Sequence, residues 1–266
     1  MRHPSSTNWS ARSRNSILLY RLKRKYVNYN SIIWLLIVTV VIVLSAALLT
    51  RLNRGEAFTN VCIYDSIIFF IKAFGSITGI MVIWNIAVIK KDKNPMIAVK
   101  NVSRKKIWYR QCQDVLIFAA VMSLLIHVLL RLFILCKYGN DYNWDDSYSL
   151  YISYCNSNRY KITTPAFTKT GIAILSYIFT LESLYIILIL FMVIDRLLER
   201  TSVIITVIYI IAQFEINLLG FITPKMYLFI YPDKALVYMG KCIFIAILLI
   251  FVGSFAADRE EYIKKK

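Results

Sequence analysis

The sequence predicts an all-α integral membrane protein with six transmembrane helices and both termini in the cytoplasm. Of its 266 residues, 58% are hydrophobic, whereas soluble domains of this length have roughly half. The apolar residues form blocks of a length that crosses a bilayer, rather than an amphipathic period. The formal net charge of +17 is concentrated in alternate segments between the blocks, which is the pattern of membrane topology.

A nucleic-acid partner is excluded by the same composition. A basic balance can indicate nucleic-acid binding, but it needs a soluble domain that presents the charge. Once the apolar blocks are removed, no segment long enough for such a domain is left. We therefore treat residues 1–266 as a single transmembrane domain whose natural surroundings are membrane lipids.

The chain before the first span predicts an interfacial helix at residues 10–30, "SARSRNSILLYRLKRKYVNYN". On a helical wheel its apolar residues form one stripe, with Arg and Lys off that stripe, which is typical of a helix lying along a membrane surface. A disordered basic tail is the alternative. The stripe is Leu18, Leu22, Tyr26 and Tyr29.

Six apolar blocks follow in order, each near the length of about 20 residues that a span requires. We expect spans at residues 32–49, 66–89, 115–136, 171–194, 202–222 and 235–257.

Residues 90–114, between the second and third spans, predict two helices. Asn94 and Pro95 are typical of a helix start, so a short surface helix is expected over 95–102. Ser103 is placed to cap a second helix that runs directly into the third span. The stretch "NVSRKKIWYR", residues 101–110, has four cationic side chains and the pair Trp108-Tyr109, which we expect in the headgroup layer.

Orientation follows from the Lys and Arg bias. With the N-terminus inside, the inner segments are 1–31, 90–114, 195–201 and 258–266, and they hold 21 of the 32 Lys and Arg residues. Because positively charged segments are retained in the cytoplasm, both termini are predicted to be cytoplasmic in a multi-pass plasma-membrane protein.

The outer connections are unusual in composition. Residues 137–170 contain eight aromatic residues and three aspartates. We expect this loop to fold over the mouth of the protein or to sit in the headgroups, and binding of a peptide or carbohydrate is the alternative. The second connection has Pro224 and Pro232, so it predicts a broken segment rather than a straight span.

Several ionisable residues fall inside the predicted spans, where they are costly and are functional candidates. Their depths suggest that Glu182 pairs with His127, and Glu215 with Arg131 or Lys72. Cross-helix pairing for structure, snorkelling of the cations and a role in transport all remain open. The set is Lys72, His127, Arg131, Glu182 and Glu215, with Lys241 also in the outer third.

No catalytic motif is present in the chain. It has no G-x-x-x-x-G-K-[ST] loop for ATP, no H-E-x-x-H zinc motif and no G-x-S-x-G elbow. Its two histidines, His3 and His127, are far apart, and its five cysteines are scattered. The sequence therefore predicts neither an enzyme nor a cofactor or metal site.

The layout resembles the membrane subunits of ABC-2-type (type V) ABC transporters. Six spans, the interfacial helix and the basic element between spans two and three are shared, and "VSRKKIWYR" is similar to a stretch in permeases of Firmicutes peptide-export and lantibiotic-type operons. The resemblance implies a separate ABC ATPase subunit, a second permease subunit, and a coupling helix over residues 95–106. In that element Met96 and Val99 would enter the ATPase groove, and the basic cluster would anchor it at the lipid surface. The residues that the resemblance implies for coupling are Pro95, Met96, Val99, Ser103, Arg104, Lys105 and Lys106.

This resemblance predicts a permease subunit of an ATP-driven exporter, with an amphipathic peptide or lipid-like cargo. One acidic-basic stretch of many ABC-2 permeases is absent, so an accessory half remains open. The alternative is a non-transporting immunity or sensor subunit that binds a ligand with its aromatic external loop.

Overall fold

The computed structural model describes residues 29–52, 60–92, 103–139, 141–157, 165–198 and 222–263. Contacts divide the chain into two units, Met1–Ile37 and Val38–Lys266. The described part of the first unit is only the opening of one helix, so the packing below belongs to the second unit. The predicted surface helices at 10–30 and 95–102 lie outside the described residues, except for the last two residues of the first.

The described residues are helical and contain no β-strand. Four of the helices are long and apolar enough to cross a membrane, which indicates a membrane-embedded protein. They are α1, α4, α6 and α7, and they contain the predicted spans one, three, four and six. The α-helices are α1 (Tyr29–Leu52), α2 (Ser66–Lys72), α3 (Phe74–Asp92), α4 (Arg104–Tyr138), α5 (Leu150–Ser157), α6 (Lys169–Leu197) and α7 (Pro232–Ile263), with 3₁₀ helices at Ile63–Asp65 and Met226–Phe229.

The predicted second span, residues 66–89, is bent rather than straight. The segment is two helices, α2 and α3, which are bent by 73° relative to each other at a short break. Gly75 and Ser76 follow the break, and Gly/Ser pairs are a recognised cause of sharp helix bends. The amide of Ala73 still donates to the carbonyl of Phe69 at 2.9 Å, so the bend leaves this amide paired in an apolar setting.

The fifth predicted span, 202–222, lies outside the described residues except for Ile222. The described part therefore contains four candidate spans, or five if α2 and α3 together count as one.

Helix α6 lies at the centre of the described bundle. It packs against α3, α4 and α7 and is the most buried of the four candidate spans. Its buried face includes the small polar residues Ser176, Thr180 and Ser183. Because lipid is as apolar as a protein core, spans associate through close packing and interhelical hydrogen bonds, and small residues favour both.

Helix α4 begins where the sequence predicts. The hydroxyl of Ser103 accepts from the amide of Lys106 at 3.3 Å, so the predicted cap is confirmed. The helix then runs unbroken to Tyr138 and ends at Gly139, whose φ of +96° favours glycine. It therefore extends well before the apolar block at 115, and this early part brings charged residues onto the bundle.

Hydrogen bonds show which helix ends meet. At one end Lys137 at the close of α4 donates to Thr50 near the close of α1 (Nζ to Oγ1, 2.9 Å). At the opposite end Arg196, near the close of α6, donates to Gln111 near the start of α4 (Nη2 to Oε1, 3.1 Å). We call the first the aromatic end (residues 138–157 and 226–229) and the second the basic end (residues 104–111, 195–198 and 254–258).

Candidate functional site

The candidate site is the junction of α4 with α6 and α7 at the basic end. Lys105, in the first turn of α4, forms an ion pair with Asp258 near the close of α7. Both side chains are partly exposed, so the pair itself contributes little stability. The pair matters for its position, because it joins the second half of the predicted coupling segment to the last turns of α7.

Trp108 forms the buried centre of this junction. Its side chain is fully buried, and its indole N–H donates to the carbonyl of Ile250 in α7 at 2.8 Å. Gly253 lies directly against the ring, where any Cβ would overlap it. The position of Trp108 in the headgroup layer stays a prediction, and within the protein its ring fills a space that glycine opens between two helices.

Two further contacts complete the junction. The guanidinium of Arg196, from α6, lies over the Trp108 ring with its Cζ 5.1 Å from the ring centroid, within the range of a cation–π interaction. On α4, the hydroxyl of Tyr109 donates to Ser254 Oγ at 3.3 Å. Three spans are thus joined at one place.

Of the predicted coupling residues, the structure describes only the second half. Ser103 caps α4, Arg104 opens it, Lys105 pairs with Asp258, and Lys106 is exposed. The other three lie outside the described residues, so the surface helix and its apolar face stay a prediction. These are Pro95, Met96 and Val99.

The predicted pair of His127 with Glu182 is wrong. His127 is buried, and its Nε2 lies 2.8 Å from Thr180 Oγ1 and 3.0 Å from the carbonyl of Ser176, both in α6. Its Nδ1 lies 3.5 Å from Ser66 Oγ at the start of α2. His127 therefore joins three helices through neutral partners, which satisfies its ring nitrogens without a carboxylate.

The remaining intramembrane residues are dispersed. Arg131 is half-buried one turn from His127, while Lys72 and Lys241 are exposed. Glu215 lies outside the described residues, so its pairing with Arg131 or Lys72 stays a prediction.

Glu182 faces a cavity of about 310 Å³ between α4, α6 and α7. Its Oε2 is buried, and no group in the described part of the chain donates a hydrogen bond to it. The other lining residues are Leu116, Leu181, Tyr185, Ile186, Cys242, Ile243, Ala246, Ile247 and Ile250.

The aromatic end is built around a buried carboxylate. Asp65 is fully buried and accepts from the amide of Cys62 at 2.8 Å and from the indole of Trp144 at 2.7 Å. Trp144 stacks on Tyr151 with ring centroids 4.4 Å apart, and it meets the Phe229 ring edge-on. The expectation that the aromatic loop folds onto the protein is confirmed for these described residues.

Four residues that organise the two ends carry no distinctive signal in the sequence. They belong to ordinary patterns: an acidic residue beside an apolar block, or a basic or small residue near a span end. Only the cross-helix contacts distinguish them, because their partners are far away in sequence. They are Asp65, Arg196, Gly253 and Asp258.

Within the described ranges, no cluster of three or more His, Cys, Asp or Glu residues could hold a metal ion. The five cysteines are unbonded, so no disulfide joins Cys155 to Cys62, Cys136 or Cys242. Burial raises the pKa of the Cys62 thiol to about 12 and that of Cys155 to about 11.

Comparison with protein-family models, characterised proteins and solved structures finds no match to this chain.

Proposed function

We propose that this protein is the membrane permease subunit of an ATP-driven exporter, coupled to a separate ATPase through residues 95–106. It works in the plasma membrane beside a second permease subunit, identical or different. The cargo is an amphipathic peptide or lipid-like molecule. The observation that supports the proposal best is the junction at the basic end, where the start of α4 is joined to both α6 and α7.

The contacts at the basic end are suited to transmit a movement from residues 95–106 to the other helices. Residues 95–102 precede α4 directly, and Ser103 caps the first turn of that helix. A displacement of this element acts on α7 through Lys105 and Trp108, and on α6 through the stacked Arg196. Packed helices with discrete contacts pass on such shifts rather than absorbing them. A motor at the basic end can therefore move three spans together.

The sequence is consistent with a permease subunit that does not itself hydrolyse ATP. It has no phosphate-binding loop, so ATP hydrolysis belongs to a partner. The alternative, an accessory subunit that captures a ligand with its outer aromatic residues, receives less support. The rings of Trp144 and Tyr151 are buried, with Trp144 packed between Tyr151 and Phe229, and neither ring is displayed to solvent.

The test is isolation of the native complex from its own membranes in mild detergent. We expect an ATPase without spans of its own to copurify. Met96→Asp and Val99→Asp should remove that ATPase while leaving the permease in the membrane. The control is Tyr148→Asp, an exposed aromatic residue at the opposite end, which should retain the ATPase.

Two results would contradict the proposal. One is a native complex that contains no ATPase. The other is an ATPase whose recovery is unchanged by both coupling variants, which would place its docking site elsewhere.

A further inference from the structure

We infer that the cavity under Glu182 binds the ammonium group of a single-chain, membrane-partitioned amphiphile. The carboxylate is the acceptor, and the apolar walls hold the chain. As a substrate site, it rests on the proposed permease function and narrows its cargo. As a binding site, it is testable without any ATPase.

The first support is an unsatisfied carboxylate. Glu182 Oε2 is buried, and within the described chain it has no hydrogen-bond donor. A buried oxygen of this kind costs free energy until a donor reaches it. None of the described lining residues is basic, and His127, the one titratable donor expected for it, is bound to Ser66, Ser176 and Thr180 instead. The described part of the chain therefore leaves this oxygen open to a donor on a ligand.

The second support is the direction in which the cavity opens. Three of its lining residues have large exposed fractions on the outside of the bundle: Leu116 at 42%, Ile243 at 54% and Ile247 at 61%. In a bilayer such exposed apolar side chains face lipid chains. A ligand reaches Glu182 between α4 and α7 from the hydrocarbon phase, so it must itself partition into the membrane.

The third support is size. A volume of about 310 Å³ corresponds to about ten waters at roughly 30 Å³ each, near the lower end of the range for ligand pockets. It accommodates an ammonium group and part of one alkyl chain, and it is too small for a folded peptide. Apart from Glu182, the described lining residues offer only the Tyr185 hydroxyl and the Cys242 thiol as polar groups. A cation on an apolar chain therefore complements the cavity in both charge and polarity.

The experiment uses the full-length protein alone, in nanodiscs of phosphatidylcholine. The probe is dodecylamine with a photoreactive diazirine in its chain, competed by unlabelled dodecylamine, dodecanol or dodecanoate. Labelled residues are located by mass spectrometry. We expect cross-linking within residues 181–186 and 242–250, competition by dodecylamine, and weak competition by the alcohol and the acid.

Three variants separate charge from shape. Glu182→Gln should weaken dodecylamine binding by about tenfold or more, as expected when a charge-assisted hydrogen bond is lost. Ala246→Phe should block the chain by filling the cavity while it leaves the carboxylate intact. Asp233→Asn, the same type of change at an exposed position of α7, is the matched control and should leave binding unchanged.

The inference is overturned if Glu182→Gln binds dodecylamine as tightly as the natural protein does. It is equally overturned if dodecanol competes as well as the amine, since charge would then play no part. Failure to find an ATPase partner would remove the permease proposal and leave this binding result standing, so the two failures are distinguishable.

Discussion

At the scale of single residues, two glycines on α7 have opposite surroundings. A methyl group on Gly253 would overlap the Trp108 ring, whereas one on Gly240 would meet nothing within 4 Å. Alanine is favoured over glycine in a helix by about 1 kcal/mol, while overpacking costs about 1–3 kcal/mol. We expect Gly240→Ala to raise the free energy of unfolding and Gly253→Ala to lower it, as measured by thermal unfolding in detergent.

Each glycine variant is the control for the other, because both replace glycine by alanine in the same helix. A second check is Trp108→Leu, which should make Gly253→Ala tolerable in the double variant, since the obstructing ring is gone. Equal shifts of the melting temperature for the two glycine variants would show that Trp108 does not occupy the space that the structure gives it.

Asp65 is the second residue whose role is visible only in the fold. Its carboxylate holds the Cys62 amide and the Trp144 indole, and each donor left unpaired costs about 1–3 kcal/mol. We expect Asp65→Ala to loosen residues 141–157, seen as faster amide hydrogen exchange there. Asp145→Ala, at an exposed position of the same segment, should change the exchange little. Unchanged protection in Asp65→Ala would mean that the aromatic stacking alone holds the segment.

The cysteines give a prediction that depends on both burial and protonation. Cys62 and Cys155 are fully buried, and their pKa values of about 12 and 11 keep them as thiols at pH 8. The thiolate is the reactive form, so neither should react with a maleimide in the native protein. Cys136 is exposed and should react. Denaturation in detergent should make all three reactive, and native labelling of Cys155 at the rate of Cys136 would contradict the burial.

At the scale of elements, the start of α4 is the feature most open to test. The cap by Ser103 accepts the Lys106 amide, and loss of such a cap costs about 1 kcal/mol. We expect Ser103→Ala to speed hydrogen exchange in the first turn of α4, and Ser103→Asp, which retains a capping oxygen, to preserve the protection. A uniform change along the whole helix in Ser103→Ala would indicate a general loss of stability rather than loss of the cap.

The sequence predicts the elements whose cause is local. Blocks of apolar residues predict α1, α4, α6 and α7, and a lone serine before a basic run predicts the cap of α4. Only Gly75 and Ser76 indicate the break between α2 and α3, and they are a weak signal. A straight helix and a bent one can have the same block of apolar residues, so the block alone does not predict the bend.

The candidate site, too, could be predicted from the sequence only where its cause is local. The basic stretch after residue 100 is visible in sequence, but the positions of its side chains depend on helices that follow much later. The burial of Trp108 could not be predicted, because Gly253, far along the chain, makes room for the ring inside the bundle. The cavity under Glu182 is likewise formed by three helices, and only the charge within an apolar block could be seen beforehand.

At the scale of the whole molecule, the two ends of the bundle are chemically different, and this difference fixes a prediction about topology. Lys106 at the basic end and Tyr148 at the aromatic end are both exposed, and α4 lies between them. A helix of α4's 35 residues, at 1.5 Å per residue, is about 50 Å long, more than the hydrocarbon core of about 30 Å. We therefore expect the two positions to face opposite sides of the membrane.

Because positive residues are retained on the cytoplasmic side, we expect Lys106 inside and Tyr148 outside. In a variant with all five cysteines replaced by alanine, Tyr148→Cys should react with a membrane-impermeant maleimide on intact cells. Lys106→Cys should react only after the membrane is permeabilised. Labelling of Lys106→Cys from outside would invert the topology and remove any access of a cytoplasmic ATPase to residues 95–106, and labelling of both from outside would mean that α4 does not cross the membrane.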